Sequence, residues 1–196
     1  MSMDKENRTL SSILWLLLFF SATVGAQGYS IAPPPAWVTA VGAPDAGWVE
    51  TAPGSNGEAY LLVDRQWSRL DGRQSFYNHF VTKAVTAAGV ESVSGISIDF
   101  DPLYESLTLH GVRVWRDGAA LDRLDRSRID LIQRESELEY QLYDGSLTLN
   151  LILEDVRPGD TVEYSYTLEG ANPIFDGHFY ERLNPVSYTH LTLPTT

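Results

Sequence analysis

Asp99 and Asp101 flank Phe100, and Glu105 follows shortly after, so three carboxylates gather in one short stretch. Ca²⁺ takes several oxygen ligands, and a cluster of this kind is where such a site would begin. The spacing and closing Glu of a calcium loop are absent, however, and Pro102 directs the stretch towards a capped turn. His79, His110 and His178 stand far apart, without the His-x-x-x-His or His-Glu-x-x-His spacing of a zinc site. No metal or other cofactor is expected. Ser55 and Ser146 lie outside any Gly-x-Ser-x-Gly elbow. A Ser-His-Asp triad can assemble from distant positions, but nothing in the spacing points to one. Cysteine does not occur, which removes thiolate nucleophiles and thiolate metal sites together. No catalytic residue is assigned. Tyr140, Tyr143, Tyr164 and Tyr166 remain as a conceivable platform for stacking on sugars. Tyr164 and Tyr166 share strand parity with Val162 and Leu168, which sends those two into the core instead.

The elements that would position these groups are strands. Leu147, Leu149, Leu151 and Leu153 fall on one side of a period-two pattern, with Ser146, Thr148, Asn150 and Ile152 on the other. Val162, Tyr164, Tyr166 and Leu168 repeat the pattern after Pro158-Gly159-Asp160. Each such strand has one buried and one wetter face, as antiparallel sheets require. Asp71-Gly72, Asp117-Gly118 and Asp144-Gly145 suit two-residue hairpin loops, and Pro158-Gly159 suits a type II turn. The pattern predicts a hairpin of Tyr60 to Leu70 with Arg73 to Thr86, then a helical turn near Ala84 to Val90 and a strand from Ser92 to Phe100. A long strand from Leu103 to Trp115 shifts its inward register at Gly111, which predicts a β-bulge. Leu121 to Ser136 fits strand, loop or short helix. Within it, Asp122 to Asp130 alternates with Arg123, Arg126 and Arg128, the pattern of a solvated, partly paired surface. The expected fold class is all-β: an antiparallel β-sandwich with hairpin connections.

Several strings of residues are similar to one family. They are Asp99-Phe100-Asp101-Pro102, Leu107-Thr108-Leu109-His110, Val112-Arg113-Val114 before Asp117-Gly118, Leu142-Tyr143-Asp144-Gly145-Ser146, and Val156-Arg157-Pro158-Gly159-Asp160 running on to Tyr166. With Glu169-Gly170-Ala171-Asn172-Pro173, they resemble domain of unknown function 3857, from about Ala59 to Arg182. The resemblance implies a β-rich domain at the N-terminus of bacterial exported proteins, ahead of a transglutaminase-like domain. That family carries no assigned activity, so it transfers no catalytic residue.

The remaining expectations concern compartment and organisation. Lys5 and Arg8 precede the apolar run Ile13 to Phe20, and Val24-Gly25-Ala26 offers small residues to a signal peptidase. Residues 1–26 therefore read as a signal peptide, cleaved between Ala26 and Gln27, with export to the periplasm or the extracellular space. The alternative is a retained membrane anchor, although the run falls short of the ~20 residues that span a bilayer comfortably. Residues 27–58 form a Pro- and Gly-rich lead-in, with short strands around Trp37 to Val41 and Trp48 to Thr51 and with Trp37 and Trp48 docking on the main sheet. Residues 59–185 are the sandwich domain. In 186–196, Val186-Ser187-Tyr188-Thr189-His190-Leu191 resembles a translated sequencing adapter, so this tail reads as non-native and the natural chain is expected to continue; a polar tail is the alternative. A net charge of −12 excludes nucleic acid as a partner, since phosphates need Lys and Arg, and argues against anionic lipid beyond the signal segment. Two functions follow. One is a non-catalytic accessory domain that positions or presents substrate to a downstream Cys-His-Asp domain of the transglutaminase type. The other is a free-standing exported module binding a peptide or glycan.

Overall fold

The computed structural model describes residues 28–42, 56–70, 73–133 and 145–175. Among these residues, nine strands and one short α-helix run in chain order: β1 (Tyr29–Ile31), β2 (Glu58–Leu70), β3 (Arg73–Ala84), α1 (Ala87–Ser94), β4 (Gly95–Phe100), β5 (Glu105–Arg116), β6 (Ala119–Asp122), β7 (Ile129–Gln133), β8 (Leu147–Ile152) and β9 (Thr161–Gly170). The larger sheet has the order β1-β5-β9-β3-β2, with β6 also paired to β5. The smaller sheet has the order β4-β8-β7. All pairings are antiparallel except that of β1 with β5. This is the expected sandwich.

Its core lies between the sheets. Leu107, Leu109, Val112 and Val114 of β5 and Val162 of β9 meet Ile96, Ile98 and Phe100 of β4 and Leu149 and Leu151 of β8, all essentially inaccessible to solvent. Full burial of a side chain of this size is worth about 1.5–3 kcal/mol, so this block dominates the stability of the sandwich. The register of β5 against β9 shifts between Leu109 and Gly111, placing the bulge where the sequence predicts it. Without that extra residue, the apolar parity of Leu107 and Leu109 would not carry through to Val112 and Val114.

The turns show where local chemistry and topology part. Asp117 and Gly118 both take positive φ, 51° and 79°, as a two-residue loop between β5 and β6 demands. Gly159 is also left-handed, at φ 96°, so the Pro158-Gly159 turn forms as expected. It does not close a hairpin: β8 belongs to the smaller sheet and β9 to the larger, so this segment crosses between layers. Asp71, Gly72 and Asp144 lie outside the described residues. Helix α1 runs over Ala87–Ser94, later than the predicted turn, and β4 accordingly starts at Gly95. Thr86 caps the helix, its Oγ1 accepting from Gly89 N. The Leu121 to Ser136 stretch resolves into the end of β6, a 3-10 turn at Arg126–Arg128 and β7. Among the described residues, no helix is long and apolar enough to cross a membrane.

The lead-in departs from expectation. No strand forms over Trp37 to Val41; instead Tyr29–Ile31 pairs with Leu107–Leu109 along one edge of the larger sheet. The chain then crosses the outer face of that sheet as a strap. Ala32 O accepts from His110 Nδ1 of β5 at 2.8 Å, while Thr39 exchanges two hydrogen bonds with the side-chain amide of Gln66 on β2. Val41 packs against Leu61, Leu62 and Val81. A Pro-rich segment suits this role, because it stays extended without needing a strand partner. Trp37 is half-buried, and Trp48 lies outside the described residues.

Candidate ligand groove

Cross-strand rows build a groove on the inner face of the larger sheet, beyond the reach of the smaller one. One row sets Arg65 opposite Asn78, and Asn78 opposite Tyr166. The next sets Trp67 opposite Phe76, and Phe76 opposite Leu168. Leu168 and Tyr166 pair in turn with the core residues Leu107 and Leu109, which fixes this face as the inward one. Over β5 the face is sealed, whereas Trp67, Phe76 and Tyr166 are only half-buried. The recess they border has a volume of about 330 Å³.

Its walls are aromatic and amide in character. Trp67 and Phe76 meet edge to face, with centroids 6.4 Å apart and planes at 77°. Beside the groove and outside its lining, Tyr164 lies almost parallel to Tyr166 at 6.4 Å, and Phe80 stacks on Tyr164 at 5.1 Å. The Arg65 guanidinium rests 5.9 Å from the Phe80 ring centre, a cation–π contact. At the far end, Asn172 Nδ2 donates to Tyr104 Oη at 3.3 Å, and Asp101 N donates to Glu105 Oε2 at 2.9 Å. Burial pushes the Glu105 carboxyl above the usual range, and burial followed by the nearby Asp101 raises the Tyr104 phenol. Gly170 closes this end at φ 148°, and any Cβ there would run into the carbonyl of Tyr104.

The opposite face carries a polar network under and beside the strap. Asp64 and Gln66 are buried and bonded to each other at 2.8 Å. His79 Nε2 donates to Glu163 Oε1 at 3.0 Å, and Trp115 Nε1 donates to Glu163 Oε2. The bond from His79 is the main cause holding the Glu163 carboxyl below its ordinary value. His110 is clamped between Ala32 O and Thr167 Oγ1, with Tyr77 stacked on its ring. Burial is the main cause lowering its pKa from the ordinary imidazole value. Both histidines have structural partners, and neither lies within the groove.

The sequence-derived candidates distribute as follows. Asp99 accepts from Thr148 Oγ1 and Asp101 accepts from Leu103 N, so these carboxylates pin a turn and an adjacent strand. Among the described residues, no three metal-ligating side chains gather. Asp122 and Asp125 each accept from a backbone N–H two residues on, and Arg128 pairs with Glu154, as a solvated surface would. Tyr164 enters the core edge as expected, but Tyr166 both packs there and borders the groove. Ser55, Tyr140, Tyr143 and His178, together with Ala26 and Gln27, lie outside the described residues. Sequence reasoning passed over Trp67, Phe76 and Asn78. Their shared parity about Asp71-Gly72 was the available signal, since a two-residue loop sets Trp67 opposite Phe76.

Comparison with known proteins agrees with this architecture. The profile of Domain of Unknown Function DUF3857 matches residues 70–195. The chain belongs to DUF3857. No curated protein matches it. A crystal structure described as "a putative protease from Parabacteroides distasonis" superposes with a TM-score of 0.54 at 12% identity, over 60% of this chain. At that identity the likeness is one of fold. The DUF3857 chain spans 24% of the length of that protein.

Proposed function

We propose that this chain is a non-catalytic, substrate-presenting domain of an exported protein whose chemistry resides in a separate, transglutaminase-like Cys-His-Asp domain. The observation that carries this reading is the composition of the groove. Among the described residues, its lining includes no Ser, Thr, Cys, Lys or His, and Glu105 is its one carboxylate. Nucleophilic catalysis needs an activated nucleophile beside a base, and glycoside hydrolysis generally uses two carboxylates. A recess rich in rings and amides, without either set, suits holding rather than turnover. The fold neighbour adds support at the level of scale, because there the shared region is a minor part of a longer chain. The transglutaminase-like context and the export route rest on the family resemblance and on the pattern of residues 1–26.

Assays of the fragment beside a version extended at its genomic locus test the proposal. The fragment alone should show neither transglutaminase nor peptidase turnover, and the extended protein should show one of them. Turnover by the fragment, abolished by a point change within it, would overturn the reading. A stop codon soon after Pro185 at that locus would instead leave a free-standing binding module.

A further inference from the structure

We propose that the outer edge of β2 receives an extended acidic peptide as an additional strand, with two peptide carboxylates on Arg65 and Arg69. As the substrate class of a presenting domain this rests on the reading above, although the site itself does not. β2 ends the order of the larger sheet. Among the described residues it pairs only with β3, from Glu58 opposite Ala84 to Leu70 opposite Arg73. The strap reaches β2 through the side-chain amide of Gln66 and not through the main chain of the strand. Among the described residues, one edge of this 13-residue strand therefore keeps its N–H and C=O groups open to an incoming chain. An added strand gains affinity from such groups, and specificity from side chains at alternate positions.

On the inner face those alternate positions are Arg65, Trp67 and Arg69, opposite Asn78, Phe76 and Gln74. Arg65 Nε is buried without a hydrogen-bond partner, and the guanidinium meets the Phe80 ring instead of a carboxylate. Arg69 is exposed. Among the described residues, ion pairs engage Arg73, Arg113, Arg116, Arg128 and Arg157, but neither Arg65 nor Arg69. The chain has 26 acidic residues against 14 basic ones, so two arginines left without a carboxylate on one strand face point outward, to a partner. A buried guanidinium donor with no acceptor is costly, and a carboxylate relieves that cost through a charge-assisted bond. Four residues of strand separate the two arginines by about 13 Å, so a paired peptide meets both with carboxylates four positions apart. The net charge of −12 opposes the encounter at long range. Salt screens that repulsion beyond about 8 Å at physiological ionic strength, and both charges on this face of β2 are positive.

The test is binding of end-capped, fluorescent heptapeptides to the chain, followed by anisotropy and by amide hydrogen exchange. The probe Thr-Glu-Thr-Val-Thr-Glu-Thr should bind, and every second amide of β2 from Asp64 to Leu70 should exchange more slowly. Arg65→Gln should weaken binding about tenfold and Arg69→Gln about threefold, since a buried charged contact counts for more than an exposed one. Arg69 is exposed, so its variant keeps the fold even if Arg65→Gln does not. Glutamine in place of both glutamates should weaken binding about thirtyfold, the two contacts combined. N-methylation of one alternate set of peptide amides should abolish binding, and of the other set should leave it intact. Equal affinity for the glutamine peptide would overturn the proposal, as would indifference to both arginine changes or to both methylation patterns. So would silence at millimolar peptide, or equally tight binding of an oligogalacturonate, which carries carboxylates without peptide groups. None of these readings depends on turnover by the extended protein, so the two proposals fail separately.

Discussion

Asp160, at the foot of β9, has a side chain only 4% exposed and takes hydrogen bonds from Arg116 of β5 and from Arg157 N. The bonds from Arg116 are the largest cause depressing its pKa below the ordinary carboxylate value. A carboxyl depressed on folding contributes stability above its unfolded pKa, and that contribution disappears as pH falls through the folded one. Asp160→Asn should therefore cost about 2 kcal/mol at neutral pH, the worth of a charge-assisted bond. Chemical denaturation should also show the difference from wild type shrinking below about pH 4. A difference independent of pH would remove the ion pair as its cause. Gly170 makes a second, steric case. Gly170→Ala places a methyl against the Tyr104 carbonyl in a backbone region closed to L-residues, so a loss of about 2–3 kcal/mol is expected in the same assay. Pro158-Gly159-Asp160 was legible as a turn, yet nothing in the sequence named Arg116 as its partner. Long-range ion pairs leave no local pattern to read.

At the scale of elements, legibility follows periodicity. Leu70 pairs with Arg73, and the same register sets Trp67 opposite Phe76, as a two-residue loop predicted from Asp71-Gly72 implies. The bulge at Gly111 was visible because apolar parity changes there. The strap had no such signal: an extended Pro-rich segment has no face to repeat, and its partner Gln66 sits in another strand. Its docking explains why β2 buries Asp64 and Gln66 as well as Leu61 and Val63. Gln66→Ala should remove both bonds to Thr39, and hydrogen exchange at the Thr39 amide should rise with little change at Val112 or Val162. Exchange that rises across the whole larger sheet would show that the strap is integral to the fold. Thr86→Ala removes the cap of α1 and should cost about 1 kcal/mol, read as a lower denaturation midpoint at unchanged slope.

For the whole molecule, the sandwich was legible because strand period and turn chemistry agree over most of its length. The groove was not, since it is the part of one sheet that the other fails to cover, and that overlap depends on how two layers meet. Export is tested at this scale: the N-terminus of the exported product should be Gln27 or lie within a few residues of it, by mass spectrometry, and an intact Met1 on a membrane-bound product would refute cleavage. The strand order has a kinetic side as well. Among the described residues, the last strand in sequence, β9, occupies the middle of the larger sheet, between β3 and β5. A ribosome delivers β2 and β3 long before β9, and Ser75 must wait for Glu169. Until then β3 has one bare edge, and the five-strand run cannot zip from either side. The larger sheet therefore closes late, and β3 needs protection from edge-to-edge aggregation until β9 arrives.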